Sequence, residues 1–285
     1  MEAPSTHHSS LVTHHSEILL IHMGGLGDVC LSESTFLSLR DGLSEPPFAL
    51  GNRRFLDLFP AYFSGVGSIE GRQWLHLFSG TDQTIRRRQI ILIGKDRDGT
   101  FRERLARLSR EPVLFIDMYP DREPVPVEEY QLGQLAAYGI KATQKVVETK
   151  ESGRIVFYPE KEYGKRKWPV ESFIDLYCIV QSHGRETILL EPLDLDLPVR
   201  EKVRIVELSN LASFLGEGGA FVSNDSGIAH LAGVCGMRTI TLFHDEDPRI
   251  WRPRGPSIPV IWRDAPLTVQ RLAEIIKEAY AILQE

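Results

Sequence analysis

The chain contains little cysteine, and it lacks a long apolar run. Among its 285 residues are three cysteines, Cys30, Cys178 and Cys235, which are odd in number and widely spaced in apolar surroundings. They indicate reduced core thiols rather than disulfides or metal ligands. No run approaches the roughly 18 apolar residues that a membrane span needs, and the polar N-terminus lacks a signal-peptide core. We therefore expect a cytoplasmic protein in which residues 1–16 form a disordered tail.

An excess of positive charge is also lacking, since 33 Lys and Arg residues stand against 39 Asp and Glu. The net charge of −6 at pH 7 argues against a general nucleic-acid binder, whose footprint is a basic excess. Local basic clusters remain at residues 86–88, at residues 165–167, and at Arg249, Arg252 and Arg254. Such clusters are usually solvated surface. The first cluster could also assist association with an anionic membrane face.

A complete dinucleotide-binding fingerprint is missing as well. The segment Gly24-Gly25-Leu26-Gly27-Asp28 has its first half, but the third glycine of Gly25-x-Gly27-x-x-Gly falls on Cys30. No ribose-binding acid closes a strand about 20 residues further on. A nicotinamide or flavin enzyme is therefore a distant alternative.

What the sequence does contain is an alternation of apolar strands and helical segments. In the first half, strands are predicted at residues 17–23, 47–50, 66–69, 89–93 and 112–118, with helical segments at 29–43, 53–63, 101–108 and 128–138. After a polar segment at 141–152, strands are predicted at 154–158, 186–190, 203–208, 220–223 and 238–243, with a helix at 170–182. The pattern predicts an α/β protein with two doubly wound, mostly parallel sheets in tandem, at residues 17–145 and 152–266.

The strand at 220–223 leads into Asn224-Asp225-Ser226-Gly227-Ile228-Ala229-His230-Leu231-Ala232, a turn and a helix start. Asp225 and Ser226 are good N-caps, and Gly227 lets a ligand approach amides that have no partner within the helix. With the positive end of the helix dipole, these amides form an anion site suited to a phosphate or diphosphate. The alternative is a capped helix that binds nothing.

Two other segments carry charge that could complete such a site. Asp28 lies where the glycine turn enters a helix at the carboxyl edge of the first strand, where open α/β sheets bind ligands. Alternatively, Asp28 only caps its helix. The loop before Trp168-Pro169 contains the basic run at 165–167, which could place Lys or Arg against phosphate oxygens.

An acidic turn follows the strand at 238–243. It covers residues 244–248 and precedes Trp251-Arg252-Pro253. This segment could shape the wall of a ligand cleft. Equally, its Asp-Pro step can be plain turn chemistry.

In combination, these segments resemble the glycosyltransferase family 9 heptosyltransferases, bacterial enzymes that add heptose to the lipopolysaccharide inner core. The first matching segment is residues 18–29, an apolar strand, a short loop and Gly-Asp-Val. The second is the basic residue before Trp168-Pro169. The third spans residues 222–253, with Asp-Ser-Gly, His-Leu-Ala, an apolar strand ending in Phe, then Asp-Pro and Trp. The three motifs occur in the family's order and cover both predicted units.

The resemblance implies a GT-B architecture, in which two Rossmann-like domains face each other across a cleft and helix 267–285 packs back on the first. It implies a sugar-nucleotide donor, usually ADP-L-glycero-D-manno-heptose, and no cofactor. Asp28 would be the general base of an inverting, metal-independent transfer, with Gly24, Gly25 and Gly27 as the acceptor-side loop. The implied donor-binding residues are Arg166, Lys167, Asp225, Ser226, Gly227, His230, Glu191 and Val206, with either Arg166 or Lys167 supplying charge to the phosphates.

The implied acceptor is a lipopolysaccharide or related cell-envelope glycan. Because such an acceptor is lipid-linked, we expect peripheral association with the inner face of the inner membrane. The chain departs from the family pattern at His22, where many members have Lys, and at His244, where a Gly usually precedes the acidic turn. The Gly-rich stretch with a ribose-contacting Glu is not recognisable, and Glu191 is the nearest candidate. A degenerate member that binds a nucleotide sugar without transferring it is therefore the alternative function.

Overall fold

The computed structural model of the chain describes residues 16–79, 86–121, 123–161, 166–263 and 265–281. The expected disordered tail, apart from Ser16, and Lys165 of the basic loop lie outside the described residues. Within the described parts, two five-stranded sheets follow one another along the chain. Every strand pairing in both sheets is parallel. The prediction of two doubly wound α/β units in tandem is confirmed.

The first unit has the strand order β3-β2-β1-β4-β5. Its central strand β1 is an apolar run buried along its whole length, as expected for a parallel strand that is covered on both faces. Leu20 of β1 pairs with Ala49 on one side and with Ile91 on the other. The elements are β1 Ile18–His22, α1 Leu26–Leu31, α2 Glu33–Gly42, β2 Phe48–Gly51, α3 Arg53–Leu56, β3 Gly65–Ser68, α4 His76–Ser79, β4 Gln89–Gly94, α5 Thr100–Ala106, β5 Leu114–Asp117 and α6 Val127–Leu135.

The second unit has the strand order β10-β9-β8-β6-β7. Strand β8 is again buried throughout, and its Val222 pairs with Phe157 of β6 and Ile240 of β9. The elements are β6 Ile155–Tyr158, α7 Val170–Ser182, β7 Thr187–Leu189, α8 Leu208–Leu215, β8 Ala220–Asn224, α9 Gly227–Val234, β9 Arg238–Phe243, α10 Pro248–Trp251, β10 Ser257–Ile261 and α11 Val269–Ala281.

Two predicted elements differ from the structure, and one observed edge strand is missing from the prediction. The strand predicted at 203–208 is wrong, because only Val203 makes a bridge, to Leu190, and α8 begins at Leu208. The helix predicted at 53–63 ends at Leu56 and is followed by a single 3-10 turn at Pro60–Tyr62. The edge strand β10 was not predicted.

Among the described residues, the hydrophobic core has three parts. One covers the outer face of the first sheet and includes Leu19 and Leu92. A second lies between the second sheet and helices α7 and α11. The third joins the two units, because it contains Leu20 and Val29 of the first together with Phe221 and Leu231 of the second. The two units therefore share buried apolar surface.

The C-terminal helix packs differently from the expectation. Leu272, Ile276 and Ala279 of α11 are buried in the same cluster as Phe173 and Leu176 of α7. The described part of this helix therefore covers the second unit and does not pack on the first. Its apolar stripe is buried there because α7 presents a matching apolar face.

Two expectations about individual side chains are also corrected. Cys30 is buried, but Cys178 is exposed on α7 and Cys235 is only partly buried, so the three do not all belong to the core. Arg254 belongs to a basic cluster that was expected to be solvated, yet the residue is 6% exposed. Among the described helices, none combines the length and the apolar character needed to cross a membrane.

Candidate functional site

The candidate site forms where the carboxyl ends of strands from both units come together. In each sheet the strand order reverses beside the unit's first strand, between β1 and β4 and between β6 and β8. Ligands of open α/β sheets bind at such a reversal, outside the carboxyl ends of the strands. Helix α1 follows β1 and helix α9 follows β8, and the two helices pack against each other.

Glycine allows these two helices to approach closely. A Cβ atom on Gly27 of α1 would lie 2.9 Å from Cδ2 of His230 in α9, and one on Gly227 would lie 3.1 Å from Cβ of Leu26. A larger residue at Gly27 would therefore clash with the His230 ring. The glycines of both motifs position one helix start against the other.

Asp28 occupies the third position of α1 and is half-buried. Its Oδ2 accepts a hydrogen bond of 2.8 Å from the Gly25 amide, and its side chain leaves no room for a Cβ atom on Gly24, which would lie 2.4 Å from the Asp28 Cβ. Asp28 thus caps its helix. It also lines the cleft described below, so capping and a role in chemistry are compatible.

His22 holds the glycine turn before Asp28 in place through hydrogen bonds. Its Nδ1 accepts the Gly24 N–H at 3.2 Å, so Nε2 carries the proton and donates to Ser32 Oγ at 3.2 Å. Ser32 Oγ in turn donates to the Asp28 carbonyl at 2.8 Å. Burial lowers the pKa of His22 to about 3, so the ring is neutral and fixes the backbone on both sides of the glycine turn.

The start of α9 provides backbone donors. Ser226 is its N-cap, and Ser226 Oγ accepts the Ala229 amide at 3.3 Å. The amides of Gly227 and Ile228, at the first two positions, have no partner within the helix. Free amides at the positive end of a helix dipole are the arrangement from which the sequence predicts an anion site, and anion binding stays a prediction.

Arg166 and Lys167, either of which could supply charge to the phosphates, have different surroundings in the structure. Lys167 Nζ donates to the Asp225 carbonyl and lies 3.5 Å from Glu160 Oε2. Arg166 is exposed, and its guanidinium lies 3.4 Å from Nε2 of His244. Lys167 is therefore the cation beside the start of α9, while Arg166 faces the acidic turn.

The Trp-Pro motif anchors this basic loop. The Trp168 amide donates to Asn224 Oδ1 at 2.8 Å, and the indole N–H donates to the Leu267 carbonyl at 2.9 Å. Trp168 is buried against Phe173. The loop is thus fixed to the last residue of β8, which holds Lys167 next to Asp225.

His230 lies between the two helix starts. It is 5% exposed, and burial lowers its pKa to about 4, so the ring is neutral near pH 7. Nε2 lies 3.9 Å from Asp225 Oδ1, and within the described chain Nδ1 has no hydrogen-bond partner. His230 can therefore serve a ligand as a neutral donor or acceptor, and it adds no positive charge.

A cleft of about 440 Å³ brings these groups together, with side chains from both units in its wall. From the first unit come Gly27, Asp28 and Tyr119; from the second come Asp225, Ser226, Gly227, His230, Glu246 and Trp251. The Tyr119 and Trp251 rings bridge the two sides, with centroids 5.0 Å apart. The acidic turn and the residues after it thus contribute Glu246 and Trp251. The sequence did not predict Tyr119 in the cleft wall or Glu160 beside Lys167, although both residues follow strand ends at the carboxyl edge.

Two residues of the implied donor set lie elsewhere. Glu191 is buried and binds Lys202 Nζ and Arg204 Nε, each at 2.6 Å. The hydrogen bond from Lys202 lowers the pKa of Glu191, so its carboxylate is a charged, internally paired group. Val206 is exposed. Neither side chain lines the cleft.

Among the residues that the structure describes, no group of three His, Cys, Asp or Glu side chains could hold a metal ion. Metal independence stays a prediction.

The arrangement of two parallel sheets around this cleft is found in solved glycosyltransferases. The chain is similar to a glycosyl transferase family 9 protein from Veillonella parvula DSM 2008, with a TM-score of 0.69 and 14% identity over 92% of this chain and 91% of that one. It is also similar to E. coli heptosyltransferase WaaC with ADP, with a TM-score of 0.66 and 14% identity over 92% and 99% of the two chains. For E. coli ADP-heptose lps heptosyltransferase II the TM-score is 0.66 and the identity 17%, over 94% and 99%. These likenesses establish a GT-B fold.

A sequence comparison identifies the family. Residues 114–272, more than half of the chain, match the model of Glycosyltransferase family 9 (heptosyltransferase). The chain therefore belongs to this family, and the resemblance seen in its motifs is confirmed. No curated protein matches the chain.

Proposed function

We propose that this chain transfers heptose from an ADP-sugar donor to a hydroxyl group of a lipopolysaccharide or related cell-envelope glycan, with inversion at the anomeric carbon. One observation carries the proposal: Asp28 and the start of α9, at Ser226 and Gly227, line the same cleft of about 440 Å³. That volume falls in the range of roughly 300–1,000 Å³ typical of small-molecule sites. A carboxylate and an anion-binding helix start thus face one ligand-sized space.

In this proposal Asp28 is the general base. It removes the proton of the acceptor hydroxyl as that oxygen attacks the anomeric carbon, and the bond to the donor diphosphate breaks with its electron pair going to the phosphate oxygen. A positioned carboxylate contributes roughly 10²–10⁴-fold to such a step. The Gly25 amide and the contact with Gly24 hold the carboxylate in place, which favours reaction at one position in the cleft.

The departing diphosphate would be stabilised by the start of α9. The amides of Gly227 and Ile228 and the ammonium group of Lys167 supply donors where negative charge develops, which favours the transition state over the ground state. His230 would contribute a neutral hydrogen bond. Because these charges are part of the protein, the proposed reaction is metal-independent.

The acceptor would enter from the first unit. A second cleft of about 320 Å³ lies at the carboxyl edge of its sheet and is lined by Gly24, Arg53, Arg54 and Glu70, among others. Gly24 belongs to the acceptor-side loop, and the two arginines favour an acceptor that carries negative charge. A lipid-linked acceptor of this kind supports peripheral association with a membrane face. The basic cluster at 86–88 contributes less to such an association than its charge suggests, because Arg88 lies near Glu45 and Glu111.

The substitution Asp28→Asn tests the proposal. Asparagine keeps an oxygen that can accept the Gly25 amide, so donor binding measured by calorimetry should be retained. Turnover with ADP-heptose and acceptor should fall by about 10²–10⁴-fold, the contribution of a general base. The matched control is Asp41→Asn, an exposed carboxylate of the same unit, which should turn over like the wild type. Wild-type turnover in Asp28→Asn would remove Asp28 from the mechanism.

A second candidate function is nucleotide-sugar binding without transfer. The observation that favours it is the pairing of Glu191 with Lys202 and Arg204, since the acid implied to contact the donor ribose is already engaged. Sustained transfer or hydrolysis of ADP-heptose by the purified protein would rule this candidate out.

A further inference from the structure

Glu160 is an acidic residue at the place where the donor diphosphate is proposed to bind. It follows β6, on the other side of the strand-order reversal from Asp225. Its Oε2 lies 3.5 Å from Lys167 Nζ, is inaccessible to solvent, and makes no hydrogen bond of normal geometry within the described residues. A carboxyl group is thus packed against the cation beside the start of α9.

The surroundings of Glu160 make its charge variable near neutral pH. Burial raises the pKa of Glu160 to about 7, and Asp225 acts in the same direction, while Lys167 and the Ser226 hydroxyl favour the charged form. Tyr158, from the end of β6, stays neutral because burial raises its pKa. Behind Asp225, the buried His230 is neutral as well. The strand, the basic loop and the turn before α9 thus act on Glu160 through Tyr158, Lys167 and the pair Asp225 and Ser226, respectively.

A bound diphosphate would add negative charge beside this carboxyl group. A like charge within a few ångströms disfavours the ionised form of a carboxyl group. Once protonated, Glu160 changes from an acceptor that engages Lys167 into an O–H donor. Lys167 is then available to form a charge-assisted hydrogen bond with a phosphate oxygen. Protonation of Glu160 and binding of the diphosphate therefore favour each other.

We propose that Glu160 is a donor-site residue that takes up one proton from solvent when the diphosphate of the donor binds. The inference rests on the proposed function, because it takes that diphosphate as the bound anion. It adds a requirement that the motifs do not contain: the donor site is complete only with a neutral Glu160. Donor affinity should accordingly be highest at mildly acidic pH and should weaken as the pH rises through 7.

The size of the effect follows from linkage. If only the protonated form binds, affinity falls by up to about tenfold for each pH unit above the pKa of the unliganded protein. Below pH 7 the dependence flattens, because most Glu160 is already protonated. Glu160→Gln mimics the neutral state, so it should bind the donor with an affinity that hardly changes with pH and that exceeds the wild-type affinity about tenfold or more at pH 8.5.

Isothermal titration calorimetry with ADP-heptose and no acceptor measures this directly. A diphosphate diester is the appropriate probe because, unlike ADP, it has no phosphate group that titrates near neutral pH. Wild type, Glu160→Gln and the control Glu207→Gln are titrated between pH 6 and pH 8.5, in two buffers with different ionisation enthalpies. Glu207 is an exposed carboxylate of the same unit, at the N-cap of α8. We expect uptake approaching one proton at pH 8 in the wild type and in Glu207→Gln, and none in Glu160→Gln.

The outcomes separate this inference from the proposed function. The same pH dependence in wild type and Glu160→Gln, or no proton uptake by the wild type, overturns the role of Glu160 and leaves the donor assignment intact. Binding of a UDP- or GDP-sugar in place of ADP-heptose, with the same Glu160-dependent uptake, overturns the donor assignment and supports Glu160. If no nucleotide diphosphate sugar binds to any variant at pH 6, both are wrong.

Discussion

Replacing Arg254 with methionine probes the ion cluster that joins the two units. Arg254 belongs to the second unit, but its guanidinium contacts two carboxylates of the first: Glu33, at the start of α2, and Glu128 Oε1 at 2.8 Å. The side chains are 3%, 11% and 12% exposed, respectively. The guanidinium also donates to Ser34 Oγ at 3.2 Å. One buried cation thus balances two acids from different elements.

The expected loss of stability follows from what the substitution leaves behind. Methionine replaces the aliphatic stem of Arg254 but not its charge, so Glu33 and Glu128 would remain in the interface without a cation. Removing one partner of a buried ion pair costs about 3–5 kcal/mol. Tyr62 still donates to Glu33 at 2.8 Å, which offsets part of the loss. We therefore expect about 3 kcal/mol, a large fraction of the roughly 5–15 kcal/mol that stabilises a folded protein.

Urea unfolding, followed by tryptophan fluorescence and circular dichroism, measures the change. Arg252→Met is the matched control: Arg252 is exposed two residues away and should cost no more than about 0.5 kcal/mol. Adding Glu33→Gln to Arg254→Met should recover part of the loss, because it removes one uncompensated charge. Equal midpoints for Arg254→Met and Arg252→Met would show that the cluster does not stabilise the interface, and would refute the reasoning.

Two further substitutions test the construction of the site. Lys167→Met should weaken donor binding by about tenfold or more, since a hydrogen bond to a charged group contributes about 1.5–3 kcal/mol. Arg166→Met should have little effect on donor binding. If calorimetry shows the reverse, the roles of the two cations are exchanged. Gly27→Ala should destabilise the chain by about 1–3 kcal/mol through its clash with His230, whereas Gly133→Ala, in a helix where a Cβ atom meets nothing within 4 Å, should be neutral or stabilising. Equal thermal midpoints for the two alanine variants would contradict the close packing of α1 and α9.

The elements that the sequence predicted correctly are those determined by local pattern. Strands β1 and β8 are buried on both faces, and each begins with the apolar run typical of such strands. The cap at Ser226 acts within its own helix turn. The segment at 203–208 has the apolar residues of a strand, but only Val203 makes a bridge, to Leu190. Lys202 before the segment and Arg204 within it pair with Glu191 instead, a contact that the local pattern does not reveal. Strand β10 escaped prediction because it is an edge strand, half-exposed and interrupted by Pro259, and such strands lack a clear apolar alternation.

The candidate site shows the same division. Asp28, Ser226 and Gly227 lie in motifs that the sequence displays, and the structure brings all three to one cleft. Glu160 and Arg254 acquire their importance from the partners that the fold brings to them, which no spacing along the chain reveals. Lys167 and Arg166 are adjacent in sequence, yet their side chains point to different partners. Which one reaches the start of α9 depends on how Asn224 anchors Trp168.

The same contacts that join the units also position the proposed base, Asp28, relative to the start of α9, the proposed anion site. On one side, α1 and α9 are held together where Gly27 meets His230. On the other, the Arg254 backbone packs against Gly233 of α9, where a Cβ atom would lie 2.6 Å from the Arg254 carbonyl oxygen, while its guanidinium binds Glu33 at the start of α2. Helix α2 follows α1 directly through Ser32. Because both ends of the α1 and α9 pair are fixed, the distance from Asp28 to the start of α9 is set before any ligand binds. In the proposed reaction, a preorganised separation of this kind would spare the entropy of aligning the base with the leaving group.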